Sequence, residues 1–108
     1  MSNDTAPVTI NMPEGYARWS AQDHLKSDED MQLYLEACIE EDDGDGRLVN
    51  AALGDIARAH GMTQLAKDTG LAREGLYKAL SANGNPEFST ILKVTRALGL
   101  RLSVVQQI

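Results

Sequence analysis

Apolar residues recur at three- and four-residue steps along most of the chain, and the points where that rhythm stops divide it into short predicted helices. Between Met62 and Leu80 two such patterns meet at a single glycine. Leu65, Ala66 and Thr69 share one helical face with Gln64, Lys67 and Asp68 opposite; beyond Gly70, the residues Leu76, Ala79 and Leu80 repeat the inward set. Glycine takes the left-handed backbone of a helix C-terminus without steric cost, so Gly70 is expected to end the first helix. Leu71 comes next as an apolar plug, and Ala66 is small enough to let two helices cross closely. That is the spacing of a helix-turn-helix. Arg73, Glu74, Tyr77 and Lys78 are left on the outer face of the second helix, where they can meet a partner.

The same reading extends to both sides. Leu48, Ala52, Leu53, Ile56 and Ala59 predict a helix from about residue 48 to residue 60, stopped by Gly61. Ser27 predicts the N-cap of a helix running to about Glu41, with Asp28, Glu29 and Asp30 at its positive end and a buried stripe of Met31, Tyr34, Leu35, Cys38 and Ile39. Ser20, with Asp23 at the capping-box offset, predicts a shorter helix through Lys26. Residues 81–87 are a turn by composition, and Ser89 is expected to cap a last helix that faces Ile91, Leu92, Thr95 and Leu98 inward and ends at Gly99. Leu100 to Ile108 then reads as a strand with Leu100, Leu102 and Val104 on one side. Near the start, Val8, Ile10 and Met12 alternate with Thr9 and Asn11, which fits a short strand or a disordered lead, while Tyr16 and Trp19 are expected to anchor this segment. A lone strand is unstable, so the C-terminal one needs residues 8–12, its own copy in a dimer, or a bound protein.

With 108 residues, 43% of them hydrophobic, the chain is expected to be one small domain. It has no apolar run long enough for a membrane span and opens with neither the basic region nor the apolar stretch of a signal peptide, which together with a single cysteine points to the cytoplasm. Cys38 reads as a small buried hydrophobe. The net charge of −6 changes the picture only when it is divided. Residues 1–47 hold 12 acidic and 3 basic side chains, residues 48–108 hold 4 and 7, so an arm of −9 precedes a region of +3. Such asymmetry suggests two partners of opposite charge.

The acidic arm offers no obvious chemistry. Asp28, Glu36 and Glu40, with Asp42, Asp43 and Asp45 after them, lack the alternating ligands and closing glutamate of a calcium loop, and nothing marks a pocket that would raise one carboxyl pKa for acid–base work. His24 and His60 stand alone. No metal, cofactor or catalytic role is therefore expected. Asp28, Glu36, Glu40, Asp42 and Asp43 are candidates for holding a basic protein, with a merely solubilising face as the alternative.

The basic part is read against DNA. In DNA-binding versions of the motif the second helix enters the major groove with its N-terminal half toward the bases. Arg73 suits a bidentate contact to guanine; Glu74 shares its face; Tyr77 and Lys78 suit phosphates, sugars or a thymine methyl. Thr63 and Gln64, beside the open amides at the start of the first helix, suit a phosphate. Arg58 fits a phosphate or a solvated surface position equally. The alternative is a helical hairpin whose outer face does nothing but meet water.

The runs Ala52 to Ala66, Gly70 to Ser81, Gly84 to Thr90 and Ala97 to Leu102 resemble the HigA-like addiction-module antidote proteins, antitoxins of the Xre (lambda-repressor-like) helix-turn-helix class. The resemblance covers about residues 20–104. It implies a mainly α, lambda-repressor-like bundle (48–99) with an acidic N-terminal extension (1–47) that is helical from about residue 20, and a C-terminal strand (100–108) that contributes to a homodimer. It further implies an antitoxin that neutralises a small basic RelE/HigB-like ribonuclease and represses its own operon, with Asn83 and Asn85, in the loop after the second helix, added to the DNA contacts; closing the turn on themselves is the equal alternative for these two side chains. Two copies would place their reading helices about 34 Å apart on operator DNA. One departure is Ala72, where relatives often carry a serine or threonine cap. A stand-alone Xre-type regulator without a toxin, and a non-DNA-binding assembly protein, are the rival readings.

Overall fold

The computed structural model describes residues 25–107. The Val8–Met12 alternation, the Tyr16–Trp19 anchor and most of the helix expected after Ser20 lie outside the described residues; Leu25 and Lys26, its last two, are not helical. Among the described residues five helices succeed one another: α1 (Asp28–Glu41), α2 (Arg47–His60), α3 (Met62–Thr69), α4 (Arg73–Ala79) and α5 (Phe88–Ala97). None is long and apolar enough to cross a membrane.

The core gathers Leu25 and Met31 with Leu53, Ile56 and Ala57 of α2, Met62 and Leu65 of α3, Leu76 and Leu80 from the α4 region, and Val94 and Leu98 from the last helix and its end. The helices depend on it, since short isolated helices are marginal in water. α2 is the central element: every residue from Asn50 to Ala57 is buried, polar Asn50 and Asp55 included. α1 packs on α2, and α3 packs on α2, α4 and α5.

α1 begins where expected, with the Ser27 hydroxyl oxygen accepting from the Asp30 N–H at 3.1 Å. Its inward stripe is narrower than expected. Met31 and Cys38 are buried and Tyr34 and Leu35 half-buried, but Ile39 is 53% exposed. α1 lies on the outside of the bundle, where a stripe one or two side chains wide meets its neighbour and the rest faces water.

Two expectations at the C-terminal end are corrected. α5 is not capped by Ser89, which lies exposed inside the first turn. Glu87, extended after Pro86, is the boundary residue, and its carbonyl already accepts from Thr90 and Ile91 at 3.0 and 3.1 Å. The helix does end at Gly99: with φ of 80° this residue lets its own N–H reach Arg96 and the Leu100 N–H reach Thr95, a Schellman closure that folds Leu100 back onto the core. The strand expected from residue 100 is not formed. Residues 101–107 have no regular structure, and Val104 and Val105 are 95% and 85% exposed. No strand among the described residues lies beside them, and an unpaired strand leaves its backbone donors and acceptors without a ladder.

Candidate nucleic-acid interface

α3 and α4 are joined by three residues, Gly70, Leu71 and Ala72. Gly70 has φ of 74° and its N–H closes α3 on the Ala66 carbonyl at 2.9 Å. The Thr69 hydroxyl donates to the Leu65 carbonyl at 2.8 Å and accepts from the Leu71 N–H at 3.3 Å, which turns Leu71 inward against the core. Ala72, extended at φ −68° and ψ 137°, starts α4 without a side-chain cap. Burial of Leu76 and Leu80 then fixes the rotation of α4 about its axis. Arg73, Glu74, Tyr77 and Lys78 all end on the exposed side.

The C-terminal end of α4 is held as closely. The Asn50 side-chain amide donates to the carbonyls of Ala79 at 2.7 Å and Ser81 at 2.5 Å, supplying partners that the last turn of a helix lacks. Beside it, the Leu80 carbonyl lies against Gly54 so closely that a Cβ there would overlap it.

Tyr77 is the centre of the exposed face. The guanidinium of Arg73 lies 5.4 Å from its ring centroid and that of Arg58, from α2, 5.7 Å. Arg58 is therefore not a simply solvated side chain: its Nη1 is also 3.6 Å from Oδ1 of buried Asp55, whose Oδ2 accepts from the Tyr34 hydroxyl at 2.8 Å. A line of polar contacts runs from α1 through α2 to the outer face of α4.

The other expected contact residues are more dispersed. Thr63 is exposed in the first turn of α3, and Gln64 beside it donates to Asp68 at 2.9 Å along the helix surface. Asn83 accepts from Arg47 Nη2 at 3.0 Å while Arg47 Nε donates to the Ala82 carbonyl at 3.3 Å, so Asn83 pins the loop after α4 to the start of α2; Asn85 is exposed. Asp28, Glu36, Glu40 and Asp43 are exposed. Asp42 is engaged by backbone, accepting from the N–H groups of Gly44, Gly46, Leu48 and Val49 at 2.7, 2.9, 2.9 and 3.2 Å. These bonds, those from Gly46 and Gly44 foremost, hold its carboxyl below the ordinary range against the opposing effect of desolvation. Asp42 thus caps α2 from four residues before its N-cap position, where Gly46 has no side chain to do so. Among the described residues no group of three or more His, Cys, Asp or Glu side chains is placed to hold a metal ion.

Sequence reasoning does not single out Arg47, Asn50 or Asp55. A signal exists for two of them. Asn50 falls at three- and four-residue steps with Leu53 and Ala57, and Asp55 likewise with Ala52 and Ala59, so both polar side chains share faces with core residues.

The architecture is that of a small helical bundle that leaves the outer face of one short helix, α4, exposed. The chain matches a family model described as "probable addiction module antidote protein" over residues 15–106, and it belongs to that family, a class of non-enzymatic antitoxins whose members have a toxin as partner. It is also 50% identical over 95 residues to an uncharacterized protein of Haemophilus influenzae, across 88% of this chain and 96% of the relative. No solved structure gives a significant match.

Proposed function

We propose that the chain is a cytoplasmic antitoxin that neutralises an RelE/HigB-like ribonuclease and, as a homodimer, represses its own operon by sequence-specific binding to operator DNA. The observation that carries the DNA part is the exposed quartet on α4. Arg73, Glu74, Tyr77 and Lys78 face outward from a helix whose opposite side, Leu76 and Leu80, is buried and whose start is set three residues after α3. This arrangement supports the reading of a helix-turn-helix of the Xre, lambda-repressor-like kind, with α4 as the reading helix. Arg73 is assigned a base contact and Lys78 a phosphate contact, while Thr63 adds a phosphate contact from the open amides of α3. Asn85 meets DNA backbone beyond α4, and Asn83 and Gln64 join only by giving up the internal bonds they make.

The toxin is assigned to the acidic helix. Asp28, Glu36 and Glu40 are exposed on α1 and Asp43 just after it, a surface that complements the basic cleft of an RNA-cutting enzyme. Asp42 serves this face indirectly, by shaping the turn into α2.

The test is binding of the purified full-length protein to its own promoter fragment at several salt concentrations, beside Arg73→Ala. The expected result is specific binding that falls steeply with salt and that the substitution weakens by roughly 1–3 kcal/mol. Absence of binding at low salt, with the toxin present as well as without it, would overturn the repressor reading.

A further inference from the structure

Arg58 has no place among the DNA contacts of α3 and α4, yet it is the side chain that joins the buried interior to the exposed quartet. It emerges from α2 with Nη1 3.6 Å from Asp55 and its guanidinium 5.7 Å from the Tyr77 ring, whose other cationic neighbour is Arg73 at 5.4 Å. A guanidinium beside a buried carboxylate has fewer directions to point in than a solvated one, because moving away gives up an attraction that is little screened in a poorly solvated site. Asp55 is oriented in turn by the Tyr34 hydroxyl at 2.8 Å. Tyr34 belongs to α1, which packs on α2.

We propose that Tyr34, Asp55 and Arg58 are positioning residues for DNA recognition: they hold the Tyr77 ring, and through it Arg73, in the orientation that α4 presents to the major groove. The proposal rests on the reading of α4 as the DNA-contacting helix. α4 has only seven residues and no side-chain cap at Ala72, so its exposed side chains gain little order from the helix itself. Order is supplied from beneath, by a chain of contacts that begins on α1 and passes through α2. Arg73 and Arg58 also share one aromatic ring, so fixing one limits the positions open to the other through their mutual repulsion. The role is distinct from a direct phosphate contact by Arg58, which would leave Tyr34 irrelevant to binding.

The experiment is a double-mutant cycle on operator binding with Tyr34→Phe, which removes a single hydroxyl, and Tyr77→Leu, which removes the ring. Each variant is measured over a salt series, with Arg58→Gln alongside. Tyr34→Phe is expected to weaken binding about two- to fivefold, the span of a surface cation–π contact. The slope of affinity against salt should stay unchanged, and the effect should vanish in the Tyr77→Leu background. An equal effect of Tyr34→Phe with and without Tyr77 would overturn the proposal. So would no effect of Tyr34→Phe together with an Arg58→Gln slope reduced by about 0.9, the signature of one lost phosphate contact. Wild-type protein that does not bind its operator overturns the DNA reading itself, whereas binding that is indifferent to Tyr34 overturns only the positioning role.

Discussion

The side-chain amide of Asn50, buried in α2, donates to the main-chain carbonyl of Ala79 at 2.7 Å and so fixes the C-terminal end of α4. The same amide reaches Ser81, while its Oδ1 has no hydrogen-bond partner among the described residues. Asn50→Leu keeps the branched outline and removes the donors, leaving the Ala79 carbonyl without this partner while the Ser81 carbonyl still accepts from the Gly84 N–H at 3.0 Å; a loss of about 1–3 kcal/mol is expected in urea denaturation. Asn50→Asp should cost more, because it sets a carboxylate against the same carbonyls. A variant as stable as wild type would mean that water replaces the amide.

Gly54 and Gly75 make opposite predictions for the same substitution. An alanine in a helix is ordinarily worth about 0.5–1 kcal/mol over glycine. Gly75 lies on the exposed side of α4 with only the Ala72 Cβ near, at 4.0 Å, so Gly75→Ala should raise stability by about that amount. At Gly54 the added methyl meets the Leu80 backbone carbonyl, which cannot turn aside as a side chain can. Gly54→Ala should therefore destabilise by about 1–3 kcal/mol, the range of overpacked cores. Thermal unfolding of the two variants should move in opposite directions.

How far the pattern along the chain foretells these features depends on the kind of residue. Leu65, Leu76 and Leu80 are buried as their spacing indicates, and Gly70 ends α3 at the expected place, because apolar burial and positive φ leave marks on composition. Asn50 and Asp55 leave only their three- and four-residue offsets from core positions: the stretch of α2 that holds them is buried on every face, and a buried polar side chain resembles a surface one until its partners are known. Asp42 stands in the sequence as one carboxylate among several. Its role depends on the loop bringing four N–H groups to one side chain, which no local propensity encodes. The tail reads as a strand because Leu100, Leu102 and Val104 fall on one side, and that pattern is realised only against a neighbouring strand.

Asp42 also yields a pH dependence. Its carboxyl is held below the ordinary value by hydrogen bonds that exist only in the folded chain, so it stabilises the fold above the unfolded pKa of about 4 and loses that contribution as pH falls through the lowered folded pKa. Asp42→Ala should thus lower the thermal midpoint at pH 7, and the gap to wild type should narrow steadily below about pH 4. A gap that persists at about pH 2 would assign the effect to something other than the charged cap.

Ala72 offers a gain of function in folding. Its backbone already has the extended conformation of an N-cap, and it is exposed, so a serine hydroxyl there can accept from the open N–H groups of the first turn of α4. Ala72→Ser should add about 0.5–2 kcal/mol of stability, read from urea midpoints with unchanged m-value. If α4 reads DNA, tighter operator binding should accompany the gain.

The exposed tail separates folding from assembly. Residues 101–107 are exposed throughout, so removing residues 101–108 should leave the isolated subunit within about 0.5 kcal/mol of its original stability. The proposed dimer is a different matter, because Leu102, Val104 and Val105 present apolar surface that a second copy of the same segment can cover by strand pairing. Sedimentation over a range of concentrations should therefore show the full chain associating more tightly than the shortened one. Equal association of the two would place the dimer contact elsewhere on the helices, and the exposed valines would then have to be covered by the toxin or not at all. A shortened chain that also unfolds earlier would show that Leu100, half-buried against the core, is held in place partly by residues 101–108.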